Sequence, residues 1–236
     1  MIAHAGLEKS LSFINTQLSE SERKWAPAEE SRRCRILTIS RQAGCGARAV
    51  ADHLARFMQV RTPEEEPNWT VFDRNIVAEV LREHHMPQRL AQYMPEKWTS
   101  EVDNTLDELF GLHPPSWELV RKTAETILHL ARIGNVILIG RGANVVTWKL
   151  QGTIHVRLVA SLEKRLQRIQ AADKLGRNEA LALIRREDKG RGYYLKKYYD
   201  KDIDDPLLYH LVINTDLISE AVAARLIFTY ALERER

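Results

Sequence analysis

The chain has 236 residues, of which 44% are hydrophobic and 28% are charged, and it contains 11 glycines and 8 prolines. This composition lies near the average for globular proteins and excludes collagen-like, low-complexity and wholly disordered classes. The formal net charge of +3 is too small for a dedicated nucleic-acid binder, although it mildly favours phosphate-bearing small ligands. The length predicts one full domain, with or without an attached arm.

The sequence gives no signal for membrane insertion or export. No run approaches the roughly 18 apolar residues that a membrane span needs, and Glu8, Ser10 and Asn15 interrupt the N-terminal stretch where a secretory signal would be apolar. The cysteines, Cys34 and Cys45, have neither disulfide-framework nor zinc-ligand spacing. We therefore expect a cytoplasmic protein without a membrane partner.

Residues 1–33 are predicted to form an amphipathic helix followed by a linker. Apolar residues recur at helical spacing, at Leu7, Leu11, Ile14 and Leu18. The polar stretch 19–33 with Pro27 at its centre reads as the linker. The helix either packs on the main domain or forms a partner contact, such as the interface of a homodimer.

From residue 34 onward, short apolar runs alternate with long helical stretches, which is typical of a parallel sheet covered by helices. The predicted strands are 36–39, 69–72, 136–139, 154–159 and 211–213. The region of about sixty residues between the second and third strands has only helical periodicity. It is predicted to be a helical insertion, and 161–202 is predicted to form two or three helices.

The first strand runs directly into a glycine turn, RQAGCGAR at 41–48, and a helix follows. The first amides of a helix lack internal partners and, with the helix dipole, form an anion site that glycines let a phosphate approach. In the phosphate-loop pattern GxxxxGK[ST], Gly46 matches the second glycine, but Arg41, Ala47 and Arg48 replace the other fixed residues. The turn therefore either binds phosphate or merely connects strand and helix.

Two further side chains of the turn bear on its chemistry. Arg41 and Arg48 flank the glycines, and a guanidinium group holds phosphate oxygens in bidentate fashion. Cys45 lies between the glycines, where it is either a reactive thiolate near Arg48 or a small residue that fits a tight turn.

The segment 39–48 (ISRQAGCGAR) resembles the degenerate phosphate loop of the cytidylate kinase-like family, which belongs to the P-loop nucleoside monophosphate kinases. Later segments agree in order and spacing: 71–74 (VFDR), 139–144 (IGRGAN), 185–194 (RREDKGRGYY) and 209–216 (YHLVINTD). The resemblance implies a three-layer α/β P-loop fold at 34–236, with a five-stranded parallel sheet. It also implies an acceptor-binding helical insertion at about 75–133 and a lid at about 185–202.

The resemblance further implies transfer of the ATP γ-phosphoryl group to a nucleoside monophosphate or similar acceptor, with Mg²⁺. The implied ATP-binding residues are Arg41, Gly44, Cys45, Gly46, Ala47, Arg48, Ala49, Asn214 and Thr215. The implied acceptor-binding residues are Asp73, Arg74, Arg141 and Asn144, and the implied catalytic residues are Arg48, Arg185, Asp188 and Arg191. Asp73 is the candidate magnesium ligand.

Residue chemistry favours the same assignment. Phosphoryl transfer depends mainly on positioning and on positive charge around the transferring group. Arg141 follows a strand, at the edge where open α/β sheets bind ligands. Arg185, Asp188 and Arg191 are spaced by three residues and therefore converge on one helix face, as either a phosphate clamp or a solvated set of ion pairs.

Several departures favour other functions. Ala47 and Ala49 remove the lysine and a hydroxyl that phosphate loops use, which leaves a nucleotide-binding regulator without turnover as the alternative. The tyrosines and lysines at 189–201 resemble a single-stranded nucleic-acid surface, but acidic residues dilute their charge, so we expect no nucleic acid partner. His210 stands where the family is expected to have aspartate, and 214–216 is predicted to cap the last helix.

Overall fold

The structure is a computed structural model that describes residues 34–73 and 117–235. The predicted N-terminal helix, its homodimer contact and most of the predicted insertion, with Arg74, lie outside the described residues. The described part of that insertion is a helix, Trp117–Ile133.

The centre of the fold is a sheet of five parallel strands. They are Ile36–Arg41 (β1), Thr70–Phe72 (β2), Val136–Ile139 (β3), Thr153–Val159 (β4) and Leu211–Asn214 (β5). The strands lie in the order β2-β3-β1-β4-β5, so the first strand is central and the chain changes direction across the sheet beside it. The predicted α/β fold with a parallel sheet is confirmed, and each strand end lies within two residues of its predicted position.

Helices cover both faces of the sheet. Helices Ala47–Gln59 (α1) and Glu220–Glu235 (α6) pack on one face, where Leu37 and Ile39 of β1 meet Leu54 and Ile227. Helix Trp117–Ile133 (α2) and the short helix Ala143–Val146 (α3) pack on the other face beside β2 and β3. The side chains of a strand alternate between faces, so these strands bury apolar residues on both sides, as a parallel sheet requires.

Two helices follow β4 in the region that was predicted to hold two or three. They are Leu162–Asp173 (α4) and Arg177–Tyr199 (α5), and a 3-10 turn, Pro206–Leu208, comes before β5. The predicted lid at 185–202 therefore comprises the second half of α5 and the residues after it. Ser161 caps α4 by accepting a hydrogen bond from the Lys164 amide at 3.3 Å.

The prediction that residues 214–216 cap the last helix is wrong. Helix α6 begins at Glu220, and the Ser219 hydroxyl accepts the amide hydrogen bond of Val222 at 3.4 Å. Asn214 Oδ1 instead accepts from the Asp216 amide at 2.9 Å, and Asp216 accepts from the Ser161 amide at 2.9 Å. These residues join the end of β5 to the start of α4. The contact could not be predicted from the sequence because Ser161 and Asp216 lie far apart in the chain.

No helix within the ranges 34–73 and 117–235 is both long enough and apolar enough to cross a bilayer.

A buried histidine, His155, and a half-buried one, His210, lie together near the amino ends of β4 and β5. His155 is 1% exposed, and its Nδ1 lies 2.8 Å from the Thr38 hydroxyl. The His155 amide donates to His210 Nδ1 at 2.9 Å, and the two rings lie 5.1 Å apart. Burial, with the nearby His210 and Arg234, lowers the pKa of His155 to about 3, and burial also lowers the pKa of His210.

We expect the free energy of unfolding to decrease as the pH falls below about 6.5, the ordinary pKa of histidine. In that range His155 is protonated in the unfolded chain but stays neutral in the folded protein until the pH approaches about 3. Acid therefore favours unfolding. The contribution of His155 to the slope is at most about 1.4 kcal/mol per pH unit. Urea unfolding between pH 7.5 and 5 measures it.

His155→Asn keeps a polar partner for Thr38 and should reduce this slope, whatever its effect on stability at pH 7.5. His53→Asn on α1, outside the histidine pair, is the control and should leave the slope as in the wild type. An unchanged slope in His155→Asn would contradict the assignment.

Candidate functional site

The glycine turn lies at the carboxyl end of β1, and its backbone excludes larger residues. Gly44 and Gly46 have φ angles of +80° and +76°, which L side chains rarely adopt. A Cβ on Gly44 would lie 2.7 Å from the carbonyl oxygen of Arg165, and one on Gly46 would lie 2.9 Å from a Glu220 carboxylate oxygen. Both glycines are therefore needed for α4 and α6 to close around the turn.

The backbone amides of the turn are left for a ligand. Gly46 begins α1 in the left-handed conformation, and no side chain caps the helix. Five backbone amides of the turn and the helix start donate to no acceptor within the described residues. They are those of Gly44, Gly46, Ala47, Arg48 and Ala49. Such a row of amides at a helix start is a concave site for an anion.

The carbonyl groups of the same turn are held from the opposite side. The Arg165 guanidinium donates to the Ala43 carbonyl at 3.4 Å, and that of Arg168 donates to the Gly44 carbonyl at 3.5 Å. The Thr215 hydroxyl donates to the Cys45 carbonyl at 3.1 Å. These donors bind the carbonyl oxygens, so the oxygens do not compete with an anion for the amides.

Asp188 connects α5 to the turn. Its Oδ1 accepts hydrogen bonds from the Ala43 amide and from Arg191 Nη2, both at 2.8 Å. Its Oδ2 accepts from Arg165 Nη1 at 2.5 Å. One carboxylate therefore joins the turn, α4 and α5.

Among the predicted catalytic residues of α5, the structure brings Asp188 and Arg191 to the turn. Arg191 is held between Asp188 and Glu187, whose carboxylate accepts from Arg191 Nη1 at 2.8 Å. Arg185 lies exposed about one helical turn before Asp188 and takes no part in this cluster. Its catalytic role stays a prediction.

Arg48 lies at the mouth of the turn and pairs with two carboxylates. Its Nε donates to Asp52 at 3.0 Å, and its Nη1 donates to Asp73 at 3.0 Å. The Arg48 side chain is 44% exposed, whereas that of Asp73 is 21% exposed. The predicted ATP-side arginine and the predicted acceptor-side aspartate are thus direct neighbours.

A second glycine turn follows β3 beside the first. Gly140 and Gly142 have φ angles of +83° and +68°, and Arg141 between them has a φ of +57°, which is uncommon for a residue with a side chain. The Arg41 guanidinium lies against the bare Cα of Gly140. Asn144 follows this turn and is 4% exposed. The predicted phosphate and acceptor residues therefore meet at the carboxyl edge of β1 and β3.

The end of β5 supports the first turn from behind. Arg168 donates to the Thr215 hydroxyl at 3.0 Å and to its carbonyl at 2.9 Å, and it pairs with Glu220 at 2.9 Å. Asn214 is exposed at the strand end. Cys45 is buried, and burial raises the pKa of its thiol, which favours a small packing residue over a reactive thiolate.

Sequence reasoning missed Arg165 and Arg168. They lie three residues apart on α4. Arg165 is buried on the same side of the helix as Leu166 and Ile169. Charged residues at this spacing are usually solvated, so the pattern alone carries little signal. The hint in the sequence is that each arginine directly precedes a buried apolar residue of the helix, Leu166 or Ile169.

The chain is similar to known proteins over most of its length. A model of the cytidylate kinase-like family matches residues 36–217. The cytidylate kinase of Thermococcus sibiricus is 27% identical over 78% of this chain and 81% of its own length. That of Pyrobaculum neutrophilum is 29% identical over 83% of this chain and 91% of its own length.

A solved structure shares the fold. It is that of an uncharacterized protein from Eubacterium ventriosum, 17% identical, which covers 85% of this chain and 99% of its own with a TM-score of 0.62. The family match spans the first glycine turn, the second glycine turn, α5 and the end of β5, which are the elements that build the site. The chain belongs to the cytidylate kinase-like family.

Proposed function

We propose that this protein is an ATP-dependent phosphotransferase that moves the γ-phosphoryl group of ATP to a nucleoside monophosphate. Membership of the cytidylate kinase-like family supports a nucleotide kinase at the level of the family. The observation that carries the proposal for this chain is the set of unpaired amides of Gly44, Gly46, Ala47, Arg48 and Ala49, with arginines on both sides. Such a site suits a phosphate chain because every group directed at it is a donor.

ATP would bind with its phosphates on the first glycine turn. Arg48 lies in the first turn of α1, and it would supply the charge that a phosphate-loop lysine supplies elsewhere, since Ala47 has none. Arg41 would approach from the β3 side, across Gly140. Asn214 and Thr215, at the end of β5, would line the base or ribose end of ATP.

The acceptor would bind beside the second glycine turn. Arg141 and Asn144 lie there, and Asp73 ends the adjacent strand β2. The acceptor phosphate is already anionic, so the transfer needs alignment and charge neutralisation and no base. Arg191, held near the first turn by Asp188, would stabilise the charge of the transferring group.

Asp73 is a chemically suitable group for Mg²⁺. Magnesium is usually held by one or two carboxylates, several waters and the substrate phosphates, so a cluster of protein ligands is not required. The residues 34–73 and 117–235 contain no group of three or more metal-ligating side chains. An ion held by Asp73 would neutralise phosphate charge, and Arg48, which pairs with Asp73 at 3.0 Å, would lie beside it.

A second candidate function is a nucleotide-binding regulator that does not turn over. It is favoured by Ala47 and Ala49, and by the pairing of Arg48 and Arg191 with protein carboxylates. A nucleic-acid surface on α5 is less favoured because Tyr198 is buried there and Lys197 stacks on Tyr193 and Tyr198.

We expect magnesium-dependent transfer from labelled ATP to at least one of CMP, dCMP and UMP. Arg141→Ala and Arg191→Ala should each lower kcat/KM by about 100-fold or more, because each removes a cation from a phosphate. The effect of Arg141→Ala should lie largely in the KM for the acceptor, and that of Arg191→Ala in kcat.

Arg177→Ala is the matched control for this experiment. Arg177 begins the same helix as Arg191, is exposed and pairs with Glu163 at 2.8 Å. Its removal should leave kcat/KM within about twofold of the wild type. ATP binding without transfer to any acceptor would favour the regulator over the kinase.

The charge of Asp188 should be needed for both stability and ATP binding. Asp188→Asn leaves Arg165, whose side chain is 10% exposed, without its carboxylate, and we expect a loss of about 2 kcal/mol in the free energy of unfolding. The Ala43 amide loses a charged acceptor, so the turn should loosen and ATP affinity should fall by about tenfold. Urea unfolding and calorimetric titration with ATP measure the two effects.

Glu163→Gln provides the corresponding acid-to-amide change in an exposed ion pair. It should change the free energy of unfolding by less than about 0.5 kcal/mol and leave ATP affinity unchanged. If Asp188→Asn and Glu163→Gln changed the free energy of unfolding and the ATP affinity equally, the hydrogen bonds of Asp188 would not be what holds the turn.

A further inference from the structure

Two tyrosines of α5 lie directly on the second glycine turn. A Cβ placed on Gly142 would lie 3.0 Å from Cε2 of Tyr199 and 3.6 Å from Cε1 of Tyr194. The two rings meet edge to face, with centroids 5.9 Å apart. Only a glycine at position 142 lets these rings approach the backbone beside Arg141.

The polar atoms at this contact are buried with few partners. The hydroxyl groups of Tyr194 and Tyr199 and the side-chain nitrogen of Asn144 are inaccessible to solvent. The two hydroxyls lie close enough to interact with each other, and within the described residues neither they nor the Asn144 nitrogen has another hydrogen-bond partner. Buried polar groups are nearly always paired in folded proteins, and each unpaired one costs about 1–3 kcal/mol. Two hydroxyls that have only each other, together with an unpaired amide nitrogen, indicate a site that a ligand with acceptor oxygens would complete.

The chemistry of these groups defines the missing partner. Burial raises the pKa of Tyr194 and of Tyr199, so both hydroxyls remain protonated at neutral pH and can donate. The Asn144 nitrogen and the Arg141 guanidinium can only donate. Arg141 is close enough to Tyr194 to oppose that rise in pKa, so the same place is positively charged. A set of donors beside a guanidinium suits an anion with several acceptor oxygens.

We propose that Tyr194, Tyr199 and Asn144 form, with Arg141, the subsite that holds the phosphate of the acceptor. This assignment rests on the proposed function, because it takes the second glycine turn as the acceptor site. It adds two contacts from α5, the helix that Asp188 ties to the first glycine turn. The phosphate of the acceptor then bridges the second turn and α5, and its binding aligns both substrates.

Substitution by phenylalanine separates this role from a structural one because it removes only the hydroxyl. Without ligand, Tyr194→Phe and Tyr199→Phe should unfold at about the same temperature as the wild type, since each removed hydroxyl has only the other tyrosine hydroxyl as a partner. With ligand, each should weaken CMP binding by about tenfold, as expected for a hydrogen bond to a charged group. The KM for ATP should not change.

Comparison of CMP with cytidine tests which part of the acceptor is contacted. Calorimetric titration of the full chain gives the ratio of CMP affinity to cytidine affinity. Both phenylalanine variants should reduce this ratio about tenfold through the CMP term alone. The control is Tyr193→Phe, because Tyr193 lies on the same helix, is 52% exposed and packs under Lys197.

The outcomes are distinct. If the wild type binds CMP and both variants keep the wild-type ratio, the phosphate subsite is overturned while the proposed function stands. A loss of cytidine affinity equal to that of CMP would place the hydroxyls on the base or ribose and also overturn it. If the wild type binds no nucleoside monophosphate, the proposed function itself fails.

Discussion

The Asp188 carboxylate is the interaction on which the site depends. Its two oxygens accept from the Ala43 amide, Arg165 and Arg191, which belong to the glycine turn, α4 and α5. A carboxylate can hold several donors at fixed angles, and hydrogen bonds to an ionised group are stronger than those between neutral groups. The first glycine turn, α4 and α5 are therefore held in one relative arrangement by this carboxylate.

This arrangement also explains how a turn without lysine can carry positive charge. Arg48 and Arg191 are paired with carboxylates, and Arg168 is paired with Glu220. Pairing offsets the cost of removing a guanidinium from water. In the proposed function, a phosphate would replace a carboxylate of Arg191, whose side chain is 18% exposed, as one anion for another. Arg48, whose side chain is 44% exposed, would reach the phosphate from water. Under that proposal a lysine at position 47 is not required.

Much of the fold could be predicted from local pattern. The five strands are short apolar runs buried on both faces, as in Leu37 and Ile39 against one layer and Ile36 against the other, and such runs differ clearly from the helical stretches between them. The end of β5 could not be predicted in the same way. Asn214 and Asp216 suit a helix cap by residue type. Instead, Asn214 accepts from the Asp216 amide in a turn after β5, and α6 begins only at Glu220, where Ser219 caps it.

The sequence by itself determined the strand–glycine turn–helix unit, the second glycine turn and the presence of Asp188 and Arg191 at helical spacing, because each lies within a few neighbouring residues. Only the tertiary structure decided which distant groups meet them. Arg165 reaches a turn 122 residues earlier in the chain, and Tyr199 lies on Gly142 because the end of α5 packs against the turn after β3. Such contacts depend on how helices pack on the sheet, and local periodicity carries no information about a partner so far away in sequence.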